Sequence, residues 1–92
     1  MIKTFKNKKL EKSYSDDDYS GINPEHRERC RLLLSAIDSA VHVTDLDQPS
    51  FRLHQLKGER KDIWSVTVRA NWRITFKFEN GEAYILDYED YH

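Results

Sequence analysis

A change of hydrophobic period near residue 50 constrains this chain more than any other feature. From there Trp64, Val66 and Val68 alternate with polar residues, and Ile74, Phe76 and Phe78 do the same. Successive side chains of a strand point to opposite faces, so each run predicts a half-buried strand whose apolar set faces a core. Ala70-Asn71-Trp72 is the short connection between them. Asn80-Gly81 then predicts a two-residue hairpin, because both central positions of a type I′ turn need positive φ, and it leads into a strand over Ala83–Tyr88. Upstream, Phe51 and Leu53 alternate before His54, and Lys57 to Asp62 reads as a polar turn. The expected result is an antiparallel meander.

The first half of the chain has a helical period instead. Asn23-Pro24-Glu25 is a helix start: Asn23 caps free amides, Pro24 suits the first turn and Glu25 complements the dipole. Cys30, Leu33, Leu34, Ile37, Ala40 and Val41 then fall on one stripe, which is expected to cover a sheet face. Lys6 to Tyr14 predicts a shorter helix through Leu10 and Tyr14, closed by Asp16-Asp17-Asp18 and Ser20-Gly21. Ile2, Thr4 and Phe5 permit an opening strand over Met1–Phe5. The fold class is therefore α+β, a small antiparallel β-sheet packed against two N-terminal helices in one domain, 1–92.

Ninety-two residues leave no room for a second core, and a domain this small buries roughly 60–65% of its unfolded surface. No apolar run approaches the roughly 18 residues of a membrane span, and the basic start Met1–Lys12 lacks the apolar core of a secretory signal. The single cysteine, Cys30, excludes an internal disulfide framework and fits a reducing cytoplasm. A net charge of −1 conceals segregation: residues 1–12 sum to +4, residues 13–51 to −5 and residues 52–77 to +5, while residues 78–92 carry five acids and no Lys or Arg. Such blocks allow a basic face for nucleic acid, and they fit a solvated surface as well.

Candidate chemistry collects after His54. His54, Lys57, Arg69, Asn71, Arg73, Tyr91 and His92 include every type needed to move a proton beside a phosphodiester and neutralise its charge. Alternation places Arg69 and Arg73 on the same non-core surface, with Asn71 at the hairpin tip and Trp72 beside the arginines. Two close guanidiniums call for an anion between them, and a phosphate suits their fork; ion pairs with Glu89 or Asp90 are the plainer alternative. Taken singly, His54 reads as a surface residue and His92 as a tail residue, so the argument rests on their convergence. No glycine-rich phosphate loop or Cys/His array accompanies the set, which points to metal-free attack on RNA by its own 2′-hydroxyl. His26 and Cys30 lie four apart on a helix, but without a second pair they read as a surface histidine and a buried cysteine. No metal or cofactor is expected. Trp64, Phe76 and Phe78 keep strict alternation and read as core rather than as a base-stacking platform.

The stretches His54-Gln55-Leu56-Lys57-Gly58, Trp64-Ser65-Val66-Thr67-Val68-Arg69-Ala70-Asn71-Trp72-Arg73-Ile74-Thr75-Phe76 and Asp87-Tyr88-Glu89-Asp90-Tyr91-His92 strongly resemble the HigB toxins, small ribonucleases of the RelE superfamily from bacterial type II toxin–antitoxin modules. The likeness extends to Met1-Ile2-Lys3 and Ala36-Ile37-Asp38 and so covers essentially the whole chain. It implies a microbial-RNase-like fold and a metal-independent endoribonuclease that cuts mRNA in the A site of the 70S ribosome, inhibiting translation and arresting growth. The 2′-hydroxyl would attack the adjacent phosphate, leaving a cyclic phosphate and a 5′-hydroxyl. Matched residue by residue, His54 or His92 would transfer protons, Lys57, Arg69 and Arg73 would stabilise the phosphorane, and Tyr91 would orient or stack the substrate. Asn71 and Asp90 would read the codon or orient neighbours. Lys3, Lys6, Lys8, Lys9 and Lys12, with Arg52, Arg60 and Lys61, would grip ribosomal RNA through its phosphates.

The resemblance also implies a HigA-type helix-turn-helix antitoxin, through which alone operator DNA would be bound; the chain has no DNA-reading motif of its own. It departs from the family mainly over Lys6–Asn23, which bears on antitoxin contact rather than on chemistry. Two rival classes stand beside this reading: a noncatalytic ribosome- or RNA-binding module, and a corepressor whose only role is to pair with a helix-turn-helix protein.

Overall fold

The computed structural model describes residues 1–90. Two helices, α1 (Lys8–Asp16) and α2 (Arg27–Ser39), precede four strands, β1 (His54–Gln55), β2 (Ile63–Arg69), β3 (Trp72–Glu79) and β4 (Glu82–Asp90), which form one antiparallel sheet in the order β1-β2-β3-β4. The meander and both helices agree with the sequence reading. Asn7 caps α1 by accepting the Leu10 N–H at 3.0 Å, and Asp17 closes it in the left-handed region at φ 54°. Asn23 caps the Glu25 N–H at 3.1 Å, and the following turn, Pro24–His26, is 3₁₀ before the α-helix proper starts at Arg27.

The core lies between α2 and one sheet face. Cys30, Leu33, Leu34 and Ile37 of α2 meet Val66, Ile74, Phe76, Ala83 and Leu86 of the sheet, with Leu10 and Ile22 closing one side. Burial pushes the Cys30 thiol up to about 12, so it packs as a small apolar group. Trp64 and Phe78 are half-buried and pack on the rim of this cluster. Val41, assigned by its spacing to the helical stripe, is instead 62% exposed, because α2 ends at Ser39 and Ala40 turns into an extended conformation.

The opening segment differs from expectation in an informative way. Met1 to Lys6 runs parallel along β4 and exchanges backbone hydrogen bonds with it, yet only the isolated bridges Ile2–Ala83 and Phe5–Leu86 form. The ladder is interrupted at Ile85, which bulges out at φ 51° and donates its N–H to the Thr4 hydroxyl at 2.7 Å. A bulge takes one residue out of register, and here it prevents a continuous fifth strand while the segment still covers the β4 edge. The β1 strand is likewise shorter than the Phe51–His54 alternation suggested, since residues 48–52 turn: Phe51 donates to Gln48 O, and Arg52 sits at φ 51°. The Glu79–Glu82 hairpin has Asn80 and Gly81 at φ 51° and 78°, as a type I′ turn requires. Among the described residues no helix is long and apolar enough to cross a membrane.

Phe76 is fully buried at the centre of this packing. Phe76→Ala should cost about 3–5 kcal/mol in urea denaturation, close to the whole stability of a domain of this size.

Candidate functional site

The sheet face opposite the helices carries the polar rows. Strand register places His54, Ser65, Thr75 and Asp87 in one row across the four strands, and Thr67, Arg73 and Glu89 in the next. These side chains interlock. Arg73 donates to the Ser65 hydroxyl at 3.2 Å, and Ser65 donates to the His54 carbonyl at 3.5 Å. Arg60 forks onto Glu89 at 2.8 and 3.1 Å, while Thr75 donates to the same carboxylate at 2.6 Å. The Arg60 guanidinium, ahead of Thr75, holds the Glu89 carboxyl below the usual carboxylate range. The ion pair fastens the 3₁₀ turn Gly58–Arg60 over the sheet, with exposed Lys57 at its start. Arg60, read from sequence as an RNA contact, is thus engaged within the protein.

Two shallow depressions adjoin on this side. One, of about 380 Å³, is lined by Arg52, Leu53, His54 and Arg73. The other, of about 290 Å³, is lined by Arg52, Thr67, Ala70 and Arg73. Among the described residues neither lining includes a carboxylate. His54 therefore opens onto the same space as Arg73, and Arg52, expected only to grip ribosomal RNA, stands beside both. Thr67 and Ser65 were not singled out in the sequence; their hydroxyls face the site only because strand pairing sets them next to Arg73 and His54. The Thr67 hydroxyl is shielded from solvent and has no hydrogen-bond partner among the described residues, a condition that costs on the order of 1–3 kcal/mol.

Arg69 does not join Arg73. A register shift between Thr67 and Arg69 pairs Arg69 with Trp72. Cross-strand partners share a face, so Arg69 stands on the helix side, where its guanidinium meets Glu25 at 3.2 Å. The same-surface placement read from alternation is corrected by this bulge, which reverses the face. Beneath Arg69, His26 is buried at 3% exposure, not on the surface as its isolated position suggested. Its Nδ1 lies 2.5 Å from the Tyr88 hydroxyl, and Tyr88 stacks on Trp72 with ring centroids 4.6 Å apart. This cluster ties the β2–β3 hairpin to the start of α2. Asn71 is exposed at the hairpin tip, and Asp90 is exposed opposite Trp72 at the end of β4. Tyr91 and His92 lie outside the described residues.

The basic residues of the first block divide. Lys3, Lys6 and Lys12 pair with Glu82, Asp87 and Asp18 at 3.0, 3.9 and 3.8 Å, whereas Lys8 and Lys9 are exposed on α1, and Lys61 is exposed after the 3₁₀ turn. No group of three or more His, Cys, Asp or Glu residues is arranged to hold a metal ion among the described residues.

Two helices against a four-stranded antiparallel meander, with a cationic patch on the free sheet face, define a RelE-like architecture. The chain aligns over its full length with one chain of the "YoeB-YefM complex from Staphylococcus aureus", at a TM-score of 0.64, 14% identity and 98% coverage of that chain, a likeness of fold alone. The sequence profile of the RelE-like toxin of the type II toxin–antitoxin system HigB matches residues 3–92. A protein of Proteus vulgaris, "Endoribonuclease HigB", is 50% identical over 92 residues, covering all of both chains. This chain belongs to the HigB-like toxin family.

Burial first, and the Arg69 guanidinium second, hold the His26 imidazole below its ordinary value of about 6.5, which favours the neutral ring in its hydrogen bond with the Tyr88 hydroxyl. The unfolded chain then binds this proton more readily than the folded one. The stability contributed by neutral His26 is complete above about pH 6.5 and is lost as pH falls through the lower folded value. The melting temperature should decline between about pH 7 and pH 5, with a shallower decline in His26→Gln. Equal slopes in the two proteins would remove His26 from the account.

Proposed function

We propose that this chain is the toxin of a type II pair and acts as a ribosome-dependent endoribonuclease that cuts mRNA in the A site, held in check by a HigA-type antitoxin. The observation that carries the proposal is the depression lined by His54, Arg52, Leu53 and Arg73, in a chain half-identical along its whole length to an endoribonuclease. A cationic recess beside an imidazole suits a phosphodiester, whose charge rises as it becomes pentacoordinate.

In the proposed reaction a base removes the proton of the 2′-hydroxyl, and the 2′-oxygen bonds to the adjacent phosphorus. The bond from phosphorus to the 5′-oxygen breaks, and an acid protonates that oxygen. The products are a 2′,3′-cyclic phosphate and a 5′-hydroxyl, with no water consumed. His54 and the carboxyl-terminal His92 divide the proton transfers, Arg73 and Lys57 hold the phosphoryl oxygens, and Tyr91 orients the substrate. Ser65 keeps the Arg73 guanidinium in place. Arg69, on the opposite face, anchors the hairpin through Glu25, and Asn71 and Asp90, at the same end of the sheet, contact the codon or orient its neighbours. Lys8, Lys9 and Lys61 are the basic groups left for ribosomal RNA phosphates. So small a domain needs no wide sequence-reading surface when the ribosome presents the mRNA.

A translation reaction with purified ribosomes and one defined mRNA tests this. Cuts within codons on ribosomes, and none in the same RNA alone, are expected; an intact transcript in both would refute the proposal. Arg73→Ala should remain folded by circular dichroism and lose about 10²-fold in single-turnover cleavage, on the order of 3 kcal/mol.

A further inference from the structure

We propose that the depression between Arg52, Thr67, Ala70 and Arg73 is a second phosphate subsite, holding the RNA phosphate that adjoins the scissile one, with Arg52 as its principal ligand. The inference rests on the nuclease reading above and adds a binding role to a residue outside the reacting set. The two depressions share Arg52 and Arg73 and differ in what else lines them: His54 borders one, while Thr67 and Ala70 border the other. The first holds a group that moves protons, and the second holds none. Consecutive phosphates of one strand would occupy them in turn, with the two guanidiniums between.

Three further observations single out Arg52. It is exposed and has no ion-pair partner among the described residues, whereas Arg31, Arg60 and Arg69 are each bound to a carboxylate. Glu89, opposite Arg73 in the register, is bound by Arg60 and Thr75, so this carboxylate is not directed at Arg52. Arg52 also occupies the left-handed region at φ 51°, where glycine or asparagine would sit at lower cost. A charged side chain at so strained a position points to work for that side chain rather than for the backbone.

The segment presenting Arg52 is rigidly mounted. Phe51 is buried and Leu53 packs on the core, so Arg52 is left outside between two anchors. The Phe51 carbonyl accepts the Thr67 N–H at 2.8 Å. Arg29 of α2 reaches over to donate to the carbonyls of Ser50 and Thr67, with its guanidinium 5.3 Å from the Phe51 ring centroid. A preorganised guanidinium loses little freedom when it meets an anion, and the fork geometry suits two phosphate oxygens.

The test compares wild-type protein with Arg52→Gly, Arg52→Asn and Arg52→Lys on ribosomes programmed with one mRNA. That mRNA is made intact, or with an uncharged methylphosphonate at the linkage on one side or the other of the cut. Arg52→Gly should melt no lower than wild type, since glycine accepts the left-handed conformation, and Arg52→Asn serves as the second uncharged variant. Both should raise KM about tenfold with kcat within about twofold, and Arg52→Lys should recover part of that loss. On one of the two methylphosphonate substrates, wild type should lose a similar factor and the uncharged variants should lose nothing further. Unchanged KM, a loss confined to kcat, or losses that multiply on both modified substrates would overturn the subsite; multiplied losses would place Arg52 on ribosomal RNA instead. Wild-type protein that leaves mRNA whole would overturn the nuclease reading and the subsite together, whereas wild-type cleavage with unaltered Arg52 variants would overturn the subsite alone.

Discussion

The register shift between Thr67 and Arg69 is the constraint on which the arrangement of this molecule depends. One extra residue in β2 turns the strand over, so side chains that alternation would place together end on opposite faces. Arg73 stays on the free face beside Ser65 and His54, while Arg69 crosses to the helix side and meets Glu25. Without that slip, two guanidiniums would crowd one surface, and the hairpin would lack its ionic tie to the start of α2. The His26–Tyr88–Trp72 cluster lies under the same tie, so the bulge also fixes how the end of β4 meets the helices.

The charge blocks in the sequence make sense once the strands are paired. The acids of the last segment are largely matched from elsewhere: Glu82 by Lys3, Asp87 by Lys6 and Glu89 by Arg60. Exposed pairs of this kind contribute little stability each. Their more consequential effect is on the local field, because Asp87 and Glu89 are matched by Lys6 and Arg60, and the described residues lining the recess include Arg52 and Arg73 but no acid. Glu89 is the clearest case. It faces Arg73 across the strands yet is bound to Arg60 and Thr75, and that same bond holds the Lys57 turn against the sheet.

Three residues of types that seldom adopt positive φ do so: Arg52 before β1, Ala70 in the β2–β3 hairpin and Ile85 within β4, each at 51–52°. For Ile85 the penalty is on the order of 1–2 kcal/mol, and the hydrogen bond to Thr4 within the edge segment helps to offset it. Its bulge explains why the opening residues cover the β4 edge without becoming a regular strand. Arg29, by tying Ser50, Phe51 and Thr67 to α2, does the equivalent service for the segment that carries Arg52.

Period and turn chemistry in the sequence were enough to determine the two helices, the antiparallel meander, the Asn80-Gly81 turn and most of the core, because each depends on residues close in the chain. The motif strings were likewise enough to place the chain among HigB-like toxins. Only the tertiary structure decided which cations share a face, that His26 is buried against Tyr88, that Val41 is exposed, and that Arg60 is tied down while Arg52 is not. Those outcomes turn on a one-residue bulge, on where α2 stops and on contacts between residues as far apart as 62 positions, and no local pattern in the letters encodes them.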